Sequence, residues 1–414
     1  MVKICFLATL GGTIIGIPAY MKLARRFDLV DEPEWGKIHT TPTSTMGGLT
    51  FLLVSVVVSL AFTDFFIKNP GFLIGLLLVA ALGFLDDLGK LPRYRKIKPL
   101  WTLLAVGMVM ALDGLNIPYL FSPLSGDIVP LAWGGPILVL FLVFCKINSV
   151  NFIDGIDGLA AGLGVIGLSF IGGLSFATGQ WSLGAISMIF LGSVLGFLFY
   201  NFPRASIFMG DVGSLSLGFV LAVLAIRMTY PMSETGMISL MTPVYVLGLT
   251  TIDTIQVVMV RVVNRENIFR ADTKHLHHKL MRAGLSERET TLTLYGLALF
   301  LAGLGVGIAG TSLLVQFWLF VGLFFAISGT IHWLGRIDNI VPEEISLDKK
   351  EPLGQILLKI GALEKRQLEK ALKLKEDGEK DKMIGELLKE QGAITEEDLH
   401  RALLIQSRLQ VDER

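Results

Sequence analysis

The stretch NSVNFIDGIDGLAAG, residues 148–162, sets Asn148, Asn151 and two Asp-Gly pairs between long apolar runs. Ionisable groups beside bilayer-length hydrophobic segments are expensive unless paired, hydrated or liganded, which makes Asp154 and Asp157 functional-site candidates. Their glycines permit positive φ and let a phosphate or a metal ion approach the backbone, whereas a packing turn needs only one of them. The plainer reading is a polar helix connector with Asx turns.

Four further clusters carry chemistry-bearing residues. Asp86 and Asp87 close an apolar run in GFLDDLGK. Adjacent carboxylates repel each other and are best tolerated beside a divalent cation or a basic loop, and otherwise form a solvated helix end facing Lys90 and Arg93. MGDVGSLSLG, residues 209–218, places Asp211 and two glycines just ahead of a helix. Backbone N–H groups there suit phosphate and the aspartate suits Mg²⁺, with a simple helix cap as the bland alternative. KIHTTPTSTMGG, residues 37–48, combines Lys37, His39, hydroxyls and paired glycines at a helix start, or is an ordinary polar loop.

The last cluster is DTKHLHHKLMRAGLS, residues 272–286, in which His275 and His278 stand at i and i+3 on one expected helix face, with His277 between them. Zinc is weighed below anion binding, because Arg270, Lys274, Lys279 and Arg282 repel a cation and strengthen a phosphate site. His332 is expected in a core or interface and His400 at the surface.

The elements that position these residues are membrane helices. Of 414 residues, 52% are apolar and 17% charged, and the apolar ones cluster. Lys plus Arg equals Asp plus Glu at 36 each, so partners are read from where the charges sit. Cys5 and Cys145 lie in apolar surroundings and are read as packing residues. About eleven apolar runs reach or approach the roughly 20 residues that cross a bilayer. They lie near 4–20, 47–67, 71–88, 100–113, 131–148, 159–178, 183–200, 214–232, 237–258, 292–310 and 312–334. The first resembles a signal-peptide core but has no small-residue cleavage site behind it, and is kept as an uncleaved helix.

One set of connectors carries Lys22, Arg25, Arg26 and Lys37, then five basic residues from Lys90 to Lys98, then Lys146 and Arg204, and finally seven from Arg261 to Arg288. The opposite set has Lys3, Lys68 and Arg227. The positive-inside rule then puts the N-terminus outside, the C-terminus in the cytoplasm, and every cluster above on the cytoplasmic side. The expected fold is an all-α polytopic membrane protein with about eleven transmembrane helices over 1–336, a linker over 337–350, and a small cytoplasmic α-helical repeat domain over 351–410. In that domain LGQILLKIGALEKRQLEKALKLK from Leu353 is matched 31 residues later by IGELLKEQGAITEEDLHRALLIQ from Ile384.

Carboxylates for a hard cation, glycine-lined helix starts and a basic histidine loop on one membrane face amount to phosphoryl-transfer equipment. Placement at the inner leaflet points to one lipid and one soluble phosphorylated substrate. Exchanging one phosphoanhydride for another needs no ATP, in keeping with the lack of a Walker A pattern. An ion-coupled transporter expects carboxylates near mid-membrane and an inverted repeat, and neither is seen. A non-catalytic scaffold leaves the acidic and glycine-rich loops unexplained.

In their order, KIHTTPTSTMGG, the DD of GFLDDLGK, NSVNFIDGIDGLAAG, FMGDVGS and HLHHKLMRAGLS resemble the polyprenyl-phosphate N-acetylhexosamine-1-phosphate transferases, the WecA/TagO and MraY group, over roughly residues 1–335. The resemblance implies a bacterial cytoplasmic membrane enzyme that passes N-acetylglucosamine-1-phosphate from UDP-GlcNAc to undecaprenyl phosphate, releasing UMP, in the first membrane step of a cell-envelope polysaccharide. HLHH with KLMRAGLS is more like the WecA/TagO branch, whereas TPTSTMGG is also like the muramoyl branch, so a UDP-N-acetylhexosamine such as the muramoyl-pentapeptide nucleotide is the alternative donor. The resemblance further implies Mg²⁺, or Mn²⁺ in its place, on Asp211 and Asp87. Asp86, Asp87, Asp154 and Asp157 would be catalytic, and Lys37, Asn148, Asn151, Asp154, His275, His277 and His278 would contact substrate. No nucleic acid is called for, and a homodimer is left open.

The C-terminal repeat resembles the MshEN-type N-terminal domain of type II secretion ATPases, some of which bind cyclic di-GMP. The arginines that open each repeat in binding members are Pro352 and Met383 here, and only Gln406 keeps a closing glutamine. A docking or regulatory module is therefore expected ahead of a cyclic-dinucleotide site.

Overall fold

The computed structural model describes residues 1–27, 29–31, 43–89, 98–122, 124–229, 241–265, 275–337, 352–359, 362–377, 383–395, 398–399 and 402–403. Lys37, His39 and His400 lie outside them, as does the side chain of His332. The chain divides into two compact units, one ending at Gly335 and the other spanning Arg336–Arg414.

The first unit opens with α1 (Val2–Arg26), the two-residue strands β1 (Val30–Asp31) and β2 (Thr43–Ser44), α2 (Gly48–Phe62), the short α3 (Phe65–Lys68) and α4 (Pro70–Asp87). It continues with α5 (Lys98–Asp113), a hairpin of β3 (Tyr119–Phe121) and β4 (Ile128–Pro130), α6 (Gly134–Ile153), α7 (Leu159–Ala177), α8 (Trp181–Asn201) and α9 (Gly210–Met228). It closes with α10 (Met241–Val246), α11 (Gly248–Val263), α12 (Leu276–Arg282), α13 (Glu287–Gly307) and α14 (Leu313–Ile337). Among the described residues eight helices are long and apolar enough to cross a membrane: α1, α4, α6, α7, α8, α9, α13 and α14.

Each of the eleven apolar runs holds helix, with corrections to several bounds. The run at 47–67 ends its helix at Phe62 and leaves α3 separate. The run at 237–258 is broken at Leu247 into α10 and α11. The run placed from 214 starts four residues earlier, at Gly210, so Asp211 lies in the first helical turn rather than capping it. Lys146, counted among the loop cations, lies inside α6.

Helix α9 is the centre of the bundle. Its apolar window is 89% buried against 11% for α14, which lies at the periphery. It packs on α4 and α6, while α1 and α7 pack on α8 and α4 on α5. Two hydrogen-bonded ends result. At one, the end of α4, the end of α6 and the start of α9 meet. At the other, the Asp113 carboxylate, fully buried at the end of α5, accepts from Gly71 N (2.7 Å) and Phe72 N (2.8 Å) at the start of α4. Arg227, from the last turn of α9, donates to Asp113 at 2.8 Å and to Asn69 at 2.5 Å.

The second unit contains α15 (Leu353–Lys359), α16 (Lys365–Asp377) and α17 (Ile384–Glu390). Its repeat is structural. Ile356, Leu357, Leu363 and Ala371 are buried, as are Leu387, Leu388, Ile394 and Ala402, each 31 positions on. A Cβ on Gly354 would meet Leu368 at 2.7 Å, and one on Gly385 would meet Leu399 at the same distance. Glu364 N bonds Gln367 as Thr395 N bonds Asp398.

Replacing Asp113 by Ala leaves Arg227 and two helix-start N–H groups without their carboxylate, a loss of about 3–5 kcal/mol for a broken buried pair. Thermal unfolding in detergent should fall accordingly, with turnover per folded molecule retained.

Candidate active site

The site is built on the first turn of α9. Asp87, the last residue of α4, accepts Asp211 N at 2.8 Å on one carboxylate oxygen and Val212 N at 3.0 Å on the other. Free N–H groups at a helix start carry partial positive charge, and a carboxylate there satisfies two of them at once. The fit needs a glycine at 210, where φ is +73° and a Cβ would come within 2.7 Å of Asp87 Oδ2. The Asp211 side chain is thereby free of capping duty. Asn151, on the last turn of α6, donates from Nδ2 to Asp211 Oδ1 and to Ser214 Oγ, both at 2.9 Å.

The turn between α6 and α7 carries the other two carboxylates. Asp154 is the C-terminal cap of α6, and Gly158, at φ +75°, precedes α7. Asn201, at the end of α8 and nearly fully buried, clamps this turn: it accepts Gly158 N at 3.0 Å and donates to Ile207 O at 2.9 Å. Asp157 Oδ2 accepts Ala205 N at 2.7 Å, and the Tyr295 hydroxyl on α13 donates to Gly158 O at 2.5 Å. Burial pushes Asp154 up to about 7, and the negative charges of Asp211, Asp87 and Asp157 add to the rise.

Asp86 pairs with Lys98 at the start of α5, both side chains partly exposed. Asn148 turns its amide back onto its own helix, donating to Phe144 O at 2.8 Å. The expected shared helical face of His275 and His278 is corrected: His275 is the extended N-cap of α12, and it is His277 that stacks nearly parallel to it, with ring centroids 6.0 Å apart at 9°. His278 packs on His277 at 4.1 Å. His277 is fully buried with neither ring nitrogen partnered by a described residue, and burial together with its two histidine neighbours holds it far below the usual imidazole range. Its Nε2 lies 2.7 Å from where a Cβ on Gly155 would stand, so the histidine loop abuts the aspartate turn.

The structure brings together Asp87, Asn151, Asp154, Asp157, Asp211 and the histidine loop, all singled out in the sequence, through residues that the sequence analysis did not name. Asn201 and Tyr295 gave no local signal. Asp253, a carboxylate inside an apolar run, did give one. Among the described residues no three His, Cys, Asp or Glu groups converge to enclose an ion. The donors fit Mg²⁺, which is commonly held by one or two carboxylates plus substrate phosphates. Asp211 Oδ2 takes no hydrogen bond from a described residue, and the crowded carboxylates that raise Asp154 form a negative centre a cation would relieve.

Residues 69–229 match glycosyl transferase family 4. The chain is 34% identical over 298 residues, 71% of its own length and 81% of the relative's, to a probable undecaprenyl-phosphate N-acetylglucosaminyl 1-phosphate transferase of Bacillus subtilis. The chain belongs to glycosyl transferase family 4. This family 4 enzyme is also similar to a decaprenyl-phosphate N-acetylglucosaminephosphotransferase of Mycobacterium leprae, at 33% identity over 66% of this chain and 75% of the relative. A phospho-N-acetylmuramoyl-pentapeptide-transferase of Streptococcus pneumoniae shares 33% identity over 71% of this chain and 92% of its own. These relatives place it in the WecA/TagO and MraY group that its motifs resemble.

The pH dependence follows from Asp154. Because its carboxyl is raised in the folded protein, the folded state holds a proton that the unfolded chain releases near pH 4, so stability falls as pH rises from about 4 through about 7. In chelator, the thermal midpoint should drop across that window, and Asp154→Asn should flatten the dependence.

Proposed function

We propose that this chain transfers N-acetylglucosamine-1-phosphate from UDP-GlcNAc to undecaprenyl phosphate, giving lipid-linked pyrophosphoryl-GlcNAc and UMP. The carrying observation is the gathering of Asp87, Asp154, Asp157 and Asp211 at one end of a membrane bundle, with Asp211 oriented by Asn151. The names of the Bacillus and Mycobacterium relatives and the HLHHKLMRAGLS motif support N-acetylglucosamine as the sugar. The Streptococcus relative keeps the muramoyl-pentapeptide nucleotide as the second reading. The excess of Lys and Arg in the connectors at the site end supports a cytoplasmic active site in a bacterial inner membrane.

In this reading an oxygen of the lipid phosphate bonds to the β-phosphorus of the UDP-sugar as the bond from that phosphorus to the bridging oxygen breaks, and UMP leaves. Asp211, with Asp87 behind it, would hold Mg²⁺, which when bound neutralises pyrophosphate charge. Asn151 orients Asp211, and Asp154 and Asp157 would line the nucleotide-sugar site beside it. Lys98 offers an ammonium to the lipid phosphate at the partly exposed mouth, and Asp86 holds that ammonium in place. Asp87 has both oxygens engaged by backbone N–H groups, which weakens it as a nucleophile and favours a single displacement over a phosphoenzyme.

The test is UMP release by the purified protein with undecaprenyl phosphate, Mg²⁺ and a panel of UDP-sugars. UDP-GlcNAc should be turned over best, and no turnover with any donor removes the reading. Asp211→Asn should lower the rate by about 100-fold or more with the helical spectrum unchanged, as for loss of a group that stabilises transition-state charge. Labelled UMP should not exchange into UDP-GlcNAc without lipid; exchange would place a phosphoenzyme on Asp86 or Asp87.

A further inference from the structure

Asp253 belongs to none of the motifs above, yet it is 2% exposed on α11 and both of its oxygens serve the histidine loop. Oδ2 meets His275 Nδ1 at 2.7 Å, and Oδ1 accepts Leu276 N, the first N–H of α12, at 2.8 Å. A carboxylate only accepts hydrogen bonds, so Nδ1 of His275 must carry a proton and Nε2 is the nitrogen turned away from Asp253. The ring is also fixed laterally. Phe152, next to Asn151 on α6, lies 5.7 Å from it, and His277 stacks on it at 6.0 Å.

The carboxylate is itself held in register with the aspartate turn. Lys146, half-buried in α6, donates to Leu247 O at 3.3 Å and to the Thr250 and Thr251 hydroxyls at 2.8 Å, across the break that starts α11. Ser149 donates to Thr250 O at 2.8 Å. Asn151 follows on the same α6 and Asp154 caps it, and Asp253 follows one turn along α11. The helix that aims Asp211 therefore also sets the height of Asp253.

We propose that Asp253 is a positioning residue for the transfer reaction: acting through His275, it presents Nε2 of that ring to the nucleotide-sugar beside the aspartate turn. This rests on the reading under Proposed function. A carboxylate–histidine pair fixes both tautomer and ring direction, and where the histidine binds a metal, losing such a partner typically lowers affinity or activity about 10- to 100-fold, a scale taken here for a substrate-facing ring. The rival role for Asp253 is a helix cap for α12, served by Oδ1 alone.

Asp253→Asn separates the two. The amide oxygen can still accept Leu276 N, while the amide nitrogen, a donor, faces His275 Nδ1. With the full-length protein in lipid nanodiscs, kcat/KM for UDP-GlcNAc should fall at least about tenfold in Asp253→Asn. His275→Gln should fall similarly, and the double variant should be no worse than His275→Gln alone. Near-wild-type turnover in Asp253→Asn, or losses that multiply in the double variant, would overturn the proposal. A readout free of turnover is ¹⁵N NMR of histidine-labelled protein without substrate. One hydrogen-bonded Nδ1 proton should vanish in both Asp253→Asn and His275→Gln, and its absence from the wild type or persistence in Asp253→Asn sinks the pairing. If the wild type releases no UMP while the Nδ1 signal behaves as expected, the transfer reading fails and the Asp253–His275 pair stands.

Discussion

The Asp87 carboxylate on the start of α9 is the contact on which the rest of the site depends. A helix start buried in a bundle leaves N–H groups that must find acceptors, and a carboxylate from the end of α4 takes two of them. Because α9 is the most enclosed helix of the bundle, fixing its first turn fixes the residue that turn projects, Asp211. Gly210 makes the approach physically available, since any side chain there would collide with the carboxylate oxygen. Function and packing are thus joined at one pair of hydrogen bonds.

Around that pair, neutral groups hold the remaining carboxylates of the centre. Asn151, Asn201, Tyr295 and the Ala205 amide hold Asp211 and the 154–158 turn. A neutral clamp adds no counter-charge, and Asp154 is raised by its burial first and by the nearby negative charges of Asp211, Asp87 and Asp157 second. At the other end of the bundle the balance is reversed. Asp113 and Arg227 neutralise each other and tie α4, α5 and α9, so that end is a fastening rather than a reactive centre.

The second unit follows a different economy. Its core is a handful of Leu, Ile and Ala side chains supplied twice at a spacing of 31 residues, with glycines at 354 and 385 admitting the leucines of the next helix. Two units of this size complete each other's core where one alone buries too little. Leu353 reaching Gly385 shows that complementarity directly.

The sequence by itself determined the class of the fold and singled out most of the carboxylates that gather at one end of the bundle. Hydrophobic length requires membrane helices, and a carboxylate that must be hydrated or liganded stands out against them, so Asp87, Asp154, Asp157 and Asp211 were legible from composition and spacing. The repeat was legible because identical packing demands similar residues at a fixed period. Tertiary structure alone decided which of these groups meet and what each one does. Asp86 and Asp87 are neighbours in sequence, yet successive helical residues point about 100° apart, so one caps α9 and the other pairs with Lys98. His275 and His278 have helical spacing, yet the helix starts between them and the face is lost. Asn201 and Tyr295 act across separations of 43 and 137 residues, and contacts at such range leave no local pattern to read; Asp253 stands out in its apolar run, yet only the fold shows that its partner is His275.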